Sequence, residues 1–387
     1  MFVQIRRPIR FVRRKALLLY EKVITFVYGP SEILDLLSSR RVIVHGCVLG
    51  GETYRVVEVV NGQLFTDGRR NISVISRRRL VPFVSWQHDA GQDLKTDENF
   101  LLSGRLRLSR RPERIQGTVV SLLCGESGNY NYFHWLFEVL PRLHLLNRLG
   151  IDLQSVIYLV PDCSCPFQVD TLNALGIGPE RRLTSQKHGY ICADLMVAIS
   201  HPVLRNWDMP DWMLHFVRQS LLPLASKAVP GQFIYISRRD SANSRRLINE
   251  EDFCRQLNLC GFHCVVLSEL SFADQVTLFS GARMIVGVHG AGLTNLVFAS
   301  PGTVVYELYL QAYNPPMFAN IARWLKLDYH GIACEPTDLD ASPQLANLRI
   351  SACQVEMILA HATEIGCRGE DVNRQPVDGK DSFPSES

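Results

Sequence analysis

The stretch Met284-Ile285-Val286-Gly287-Val288-His289-Gly290-Ala291-Gly292-Leu293-Thr294-Asn295 decides how this chain is read. Its apolar start predicts a buried strand through Val288, and residues 293–299 predict a short helix. A glycine-rich turn between strand and helix is a layout for anions. N–H groups at a helix N-terminus lack partners and carry partial positive charge. Glycines let a ligand approach the backbone closely. The order Gly-x-x-Gly-x-Gly is neither the dinucleotide fingerprint nor the P-loop, whose lysine is missing. Taken alone it equally fits a turn that packs a helix on a strand. His289, a polar ring at the mouth of an apolar strand, shifts the reading toward an anion site. The expected phosphate contacts are His289 and the N–H groups of Gly290, Ala291, Gly292, Leu293, Thr294 and Asn295, with Thr294 and Asn295 also able to cap the helix. Residues 284–306 hold no charged side chain, about the ~20-residue length of a membrane span. Gly287, Gly290, Gly292, Pro301 and Gly302, with His289 and Asn295 among them, argue against a lipid-facing helix.

Working outward, apolar strands at 233–236, 264–267, 303–308 and 329–334 alternate with helices at 250–259, 272–280 and 318–325. That alternation implies a parallel sheet wound as in nucleotide-binding domains. Ligands bind outside the carboxyl ends of such strands. Ser237-Arg238-Arg239-Asp240 and Arg245-Arg246 leave the first of them, and arginine forms bidentate bonds to phosphate. Arg238 and Arg245 are the candidates for phosphate binding. Asn249 reads as a helix N-cap followed by the acidic first turn Glu250-Glu251. Glu307, ending the next strand, offers a carboxylate to ribose hydroxyls or to a nearby arginine. The region has no Asp-x-Asp metal motif, so no metal ligand is assigned.

Upstream, residues 1–225 form the expected N-terminal unit, with an irregular β-rich start. Strands are expected at 41–45, 54–60, 63–65, 80–86 and 118–123, with Asn61-Gly62 as a hairpin turn. A helix over 133–149 ends at Gly150. It carries Asn131-Tyr132-Phe133-His134-Trp135 at its start and Glu138 one turn later. His134 and Glu138, four apart, share a helix face. An imidazole and a carboxylate among aromatic rings suit proton removal and sugar binding. The alternative is an ordinary His–Glu pair over a buried aromatic stripe. Further on, a small, polar, proline-bearing segment at 225–231 marks a boundary. Residues 226–340 form the nucleotide-binding unit and 341–365 a terminal helix beginning near 345, followed by a disordered tail at 366–387.

Bulk composition limits the function classes. At 387 residues the chain exceeds one hydrophobic core. A net charge of +3 gives no broad nucleic-acid footprint. The basic, partly apolar start over residues 1–15 could hold the protein on an anionic membrane surface, or could pack on its own unit. The apolar run that follows is too short for a signal-peptide core. Eleven scattered cysteines match no zinc spacing. A reduced cytoplasmic setting, with peripheral contact to the inner membrane face, is expected.

Three segments together resemble glycosyltransferase family 61. They are Asn131-Tyr132-Phe133-His134-Trp135 with Glu138 and Pro141-Arg142-Leu143; Ser237-Arg238-Arg239 with Asn249-Glu250; and His289 to Asn295 with Pro301-Gly302 and Glu307. The resemblance covers about residues 120–310. It implies an α/β GT-B-like fold: two Rossmann-like lobes with a donor cleft between them, the N-terminal lobe bearing extra strands. It also implies an inverting, metal-independent transfer from a nucleotide-sugar donor to a glycan or lipid-linked glycan, as in bacterial capsule or surface polysaccharide synthesis. Glu138 and His134 would be catalytic, and Asn131, Tyr132 and Trp135 would contact the acceptor. No cofactor and no nucleic acid is expected. The alternatives are a non-catalytic carbohydrate-binding or assembly protein on the same fold, or a nucleotide-dependent oxidoreductase, whose fingerprint is missing.

Overall fold

The computed structural model describes residues 41–87 and 111–372, apart from 69–70, 78, 82, 201–206, 228, 242–244 and 339–340. The basic start and the expected tail beyond 372 lie outside the described residues. The chain divides into two compact units. The first runs to Ser226 and takes in Ser271–Val276, and the second comprises Lys227–Leu270 and the chain from Thr277.

In the first unit, β1 (Val42–Leu49) and β2 (Glu52–Val60) form an antiparallel hairpin. Its turn, Gly50-Gly51, has φ of +58° and +78°, the left-handed geometry that a two-residue hairpin loop demands at both positions. Eight further strands complete a ten-stranded sheet: β3 (Gln63–Thr66), β4 (Asn71–Ser76), β5 (Arg79–Leu80), β6 (Trp86–Gln87), β7 (Glu113–Ser121), β8 (Ile157–Val160), β9 (Arg182–Thr184) and β10 (Tyr190–Ile199). β10 is the seam. It pairs antiparallel with β2 and β3 along one edge and parallel with β7 along the other. β7, β8 and β9 continue parallel, so the sheet is mixed, with an antiparallel β-rich part joined to a short parallel one.

Two expectations for this unit change. Asn61-Gly62 does not close a hairpin, because β2 and β3 do not pair with each other but line up successively along β10. Asn61, at φ +50°, donates its N–H to the Asp194 carbonyl at 2.8 Å. A Cβ on Gly62 would come within 2.6 Å of Met196 Cβ, so glycine stands there for close packing. The strand expected at 80–86 is reduced to the two-residue strands β5 and β6.

The helix expected over 133–149 is broken into pieces. Tyr132–His134 is α-helical, Trp135–Val139 forms a π turn, and Arg142–Arg148 resumes the α-helix. Leu140 donates its N–H to the Trp135 carbonyl at 3.1 Å, five residues back. Pro141 explains the break. It has no N–H for the ladder, and its ring excludes the carbonyl four residues earlier. Single π turns inside helices recur at functional sites.

The second unit is built on β11 (Gln232–Ser237), β12 (Phe262–Val266), β13 (Ala282–Val288), β14 (Val304–Leu310), β15 (Asp328–Pro336) and β16 (Leu348–Arg349), in the order β12-β11-β13-β14-β15-β16. The first five are parallel and β16 is antiparallel. Counted within the unit, the parallel order is 2-1-3-4-5, a doubly wound sheet whose direction of winding reverses between β11 and β13. Buried Tyr235, Met284, Val286, Tyr306 and Leu308 fill one face together with Phe253, Leu257, Ile358 and Ala362. The terminal helix is Ala352–Val372. It starts later than residue 345 because Leu348–Arg349 is drawn into the sheet beside β15. It ends later than 365, so residues 366–372 are helical rather than part of a disordered tail.

Candidate functional site

The winding of the second sheet reverses between β11 and β13, and ligands in doubly wound sheets bind outside the strand ends at such a point. Arg238 follows β11 there, and His289-Gly290 follow β13. The two segments touch. A Cβ on Gly290 would overlap Arg238 Nη1, so only glycine lets the guanidinium lie against the backbone. Gly290 is extended, with φ 164°, so its need for glycine is spatial. Gly287 and Gly292 serve packing instead. A Cβ on Gly287 would meet Leu293 Cδ2 at 3.0 Å, and one on Gly292 would meet Leu267 Cδ1 at 3.0 Å.

The segment after the loop is a 3-10 helix, Ala291–Phe298, with Gly290 as its N-cap. In a 3-10 helix each N–H bonds three residues back, and Leu293 N–H already donates to the Gly290 carbonyl at 2.9 Å. From Leu293 onward the backbone donors are therefore engaged, and the expected set of anion-binding N–H groups shrinks to Gly290, Ala291 and Gly292. The Thr294 and Asn295 side chains are fully buried. Asn295 Nδ2 donates to the Gly292 carbonyl at 3.3 Å, and Thr294 Oγ1 is buried without a partner. Neither side chain reaches the surface, so their expected phosphate contacts are withdrawn.

The four arginines separate by environment. Arg239 pairs with Glu269 at 2.9 Å in solvent, and Arg246 donates to the Ser241 carbonyl at 2.8 Å from an exposed position. Arg238 and Arg245 are partly buried. Among the described residues neither makes a salt bridge, and the Nε of each is buried without a partner. Burial, and then the charge of Arg245, push the Arg238 guanidinium down to about 10. Burial also lowers Arg245, against the opposing effect of Tyr313, which accepts its hydrogen bond. The Asp240 charge acts on Arg238 and the Glu307 charge on Arg245, each more weakly than burial. Two partly desolvated cations beside the N–H groups of Gly290 to Gly292 can receive an anion.

His289 and Glu307 occupy a different niche. His289 is buried, with Nδ1 hydrogen-bonded to Glu307 Oε1 and its ring against Tyr313 and Phe318 at 5.4 and 5.1 Å. Glu307 is 1% exposed, and its other oxygen accepts from Tyr329 at 2.5 Å. Burial and the Glu307 charge raise the Tyr329 phenol well above its usual value, so it remains the donor. With both oxygens engaged and no surface, Glu307 holds the His289 ring and offers no free oxygen to ribose, while its charge acts on Arg245, as the arginine alternative expects. Asn249 also departs from expectation. It does not cap its helix, but bonds the Ile350 backbone through both ends of its amide, at 2.9 and 3.3 Å.

In the first unit, His134 Nδ1 lies 2.7 Å from Glu138 Oε1. The imidazole is 18% exposed and the carboxylate 9%. Cys124 Sγ is 3.9 Å from Glu138 Oε2 and accepts from Arg142 Nη2 at 3.0 Å, while Arg142 Nη1 donates to the Leu123 carbonyl at 2.8 Å. Burial pushes the Cys124 thiol up, so it stays protonated. Arg142, 1% exposed, thus sits behind the carboxylate, and the Trp207 ring lies 6.1 Å from the His134 ring. The imidazole, the more exposed of the two, pairs with a carboxylate that is otherwise enclosed.

The expected acceptor contacts fare unequally. Trp135 is fully buried, and its indole N–H donates to Thr171 Oγ1 at 2.9 Å, so it belongs to the core and not to an acceptor surface. Asn131 is exposed, but its Oδ1 caps the following helical turn by accepting from Phe133 N–H at 2.9 Å. Tyr132 is half-buried between Phe167 and Phe272. Sequence reasoning passed over Cys124, Arg142, Tyr313 and Tyr329. Arg142 stood in the quoted Pro-Arg-Leu motif, and Tyr313 follows a parallel strand's carboxyl end, which is itself a signal.

Among the described residues no group of three or more His, Cys, Asp or Glu side chains could hold a metal ion, and no helix is long and apolar enough to cross a membrane.

A family model described as Glycosyltransferase 61 matches residues 132–306. The chain is similar to the beta-1,2-xylosyltransferase of Arabidopsis thaliana, 37% identical over 100 residues, 22% of this chain and 19% of that protein. It is 40% identical over 77 residues to the protein O-linked-mannose beta-1,4-N-acetylglucosaminyltransferase 2 of Takifugu rubripes, covering 19% of this chain and 13% of that one. Similarity to the EGF domain-specific O-linked N-acetylglucosamine transferase of Drosophila melanogaster is weaker, 22%, but longer, spanning 50% of this chain and 41% of the relative. The chain therefore spans less than half the length of these relatives. The matched segment holds His134, Glu138, Arg238, Arg245 and His289. Residues 132–306 of this chain belong to the glycosyltransferase 61 family.

Proposed function

We propose that the chain is an inverting glycosyltransferase that moves a sugar from a nucleotide-sugar donor to a hydroxyl of a glycan acceptor without a metal ion. The observation that carries this reading is the pair of partly desolvated guanidinium groups outside any salt bridge among the described residues, Arg238 and Arg245, with Arg238 against Gly290 at the reversal point of the second sheet. That arrangement suits a diphosphate. In this reading the fold is GT-B, the second unit supplying donor binding and the first supplying acceptor activation.

The chemistry is a direct displacement. Glu138, held by His134, removes the acceptor hydroxyl proton, and the oxygen attacks the anomeric carbon as the bond to the diphosphate breaks. Arg238, Arg245 and the N–H groups of Gly290 to Gly292 stabilise the charge that develops on the leaving group. His289, clamped by Glu307, shapes the loop from behind. Synthesis of a capsular or surface polysaccharide from the cytoplasmic side, with the basic start resting on the membrane, is the setting proposed for this activity.

The test is a thermal-shift panel of UDP-, GDP- and CMP-sugars, followed by donor hydrolysis and transfer assays in excess chelator. Stabilisation by one nucleotide class and turnover that survives the chelator are expected. No nucleotide-dependent shift would remove the donor reading, and turnover abolished by chelator and restored by a divalent cation would remove the metal-independent one.

A further inference from the structure

The first unit contains a cavity of about 590 Å³ that shares no residue with the His134–Glu138 pair. That volume falls in the ordinary range of about 300–1,000 Å³ for small-molecule sites. Three rings, Phe65, Tyr130 and Tyr190, contribute to its wall. Tyr130 is 38% exposed, so part of its ring is available for contact, and its hydroxyl is fixed on the Gly68 carbonyl at 3.3 Å. Phe65 and Tyr190 stack edge to face at 6.3 Å, and Tyr190 is anchored through Gln63 at 3.0 Å. The aromatic surface is therefore held in place before any ligand arrives.

The polar part of the wall is mixed in sign: the carboxylates Asp67, Glu113 and Asp162 line it together with the cations Arg111 and Lys187 and the His188 imidazole. His188 Nδ1 lies 2.8 Å from Glu113 Oε2 at the surface, and Asp67 accepts from the Asn71 N–H at 2.9 Å. With carboxylates outnumbering the two full cations, such a wall does not favour a phosphate, unlike the arginine pair of the second unit. It is also too polar for a lipid chain. Fixed aromatic faces, with carboxylates, cations and the Ser185 hydroxyl between them, match a ligand with apolar C–H faces and many hydroxyl groups.

We infer that this cavity is a second saccharide-binding site, for a neutral, hydroxyl-rich oligosaccharide segment, separate from the groups that carry out transfer. Binding there needs neither nucleotide nor turnover. The inference thus stands or falls independently of the catalytic reading.

The test is saturation-transfer NMR and calorimetric titration of the full chain with lactose, cellobiose and N,N′-diacetylchitobiose, with inorganic phosphate as the charged control. At least one saccharide should bind the wild type. Tyr130→Ala should weaken it at least fivefold and His188→Ala at least twofold, with unchanged melting temperatures showing that both variants fold. Glu138→Gln should bind that saccharide as the wild type does. Three results would overturn the inference: no saccharide binding to the wild type, affinity unchanged in both cavity variants, or displacement of the saccharide by phosphate. If Tyr130→Ala proves unstable, His188→Ala and the exposed-site variant Lys187→Glu carry the same comparison.

Discussion

Glu138 is a carboxylate contacted from two sides. His134 meets one oxygen at 2.7 Å, and the protonated Cys124 thiol lies 3.9 Å from the other. Arg142 stands behind the thiol, wholly buried. A buried arginine in this position does two things: it fixes the Leu123 carbonyl and the thiol, and it places a positive charge near the carboxylate. Replacing it with methionine keeps much of the volume but leaves the Leu123 carbonyl without its donor. An unsatisfied buried group costs about 1–3 kcal/mol, so Arg142→Met should lower unfolding free energy by about that amount in a urea titration. An unchanged midpoint would mean that the arginine contributes nothing net. His134 and Glu138 were legible in the sequence because four-residue spacing forecasts a shared face. Their contact forms across a π turn, which the spacing did not forecast and Pro141 explains. Cys124 was not legible, because it arrives from a separate segment and a lone thiol has no pattern.

The loop from Gly287 to Asn295 shows how three glycines can answer three demands. Gly287 and Gly292 make room for Leu293 and Leu267, while Gly290 makes room for a guanidinium. These separate under mutation. A methyl group at 287 meets packed core atoms, and overpacking of this kind costs about 1–3 kcal/mol; Gly287→Ala should therefore lower the melting temperature. At 290 the obstacle is the far end of an arginine, which can move away. Gly290→Ala should melt near the wild-type temperature but bind nucleotide more weakly by about 1.5–3 kcal/mol, the worth of one charged hydrogen bond. A reversed pattern, with Gly290→Ala unstable and full affinity kept, would take Arg238 off the ligand. The sequence pattern gave the strand, the turn and the following short helix. It did not give the 3-10 winding, which engages the N–H groups from Leu293 onward and hides Thr294 and Asn295. Helix type at this length depends on what the turn packs against, and apolar spacing does not record that.

At the scale of the whole molecule, the parallel sheet of the second unit was readable because each strand is a continuous apolar run between helices. The 2-1-3-4-5 order was not, since order depends on which helix covers which face. In the first unit the pattern failed at Asn61-Gly62, where a local hairpin signal was overridden by β10, a strand some 130 residues away that pairs with both neighbours. Long-range pairing of that kind leaves no local mark. The arginine pair has a consequence for the intact protein. Burial and mutual repulsion depress Arg238 to about 10, so an anion placed there relieves both. Inorganic pyrophosphate should raise the melting temperature, and added salt should reduce the gain. Lack of any shift would argue against an anion site.

The central claim divides the work between two groups: Arg238 holds the donor's diphosphate and Glu138 takes the acceptor's proton. It is tested most directly by measuring nucleotide affinity and transfer rate side by side in Arg238→Ala and Glu138→Gln. Arg238→Ala should lose about 1.5–3 kcal/mol of nucleotide affinity. Glu138→Gln should bind nucleotide like the wild type and lose about 10²–10⁴-fold in transfer. Unchanged nucleotide affinity in Arg238→Ala, or wild-type turnover in Glu138→Gln, would contradict the account.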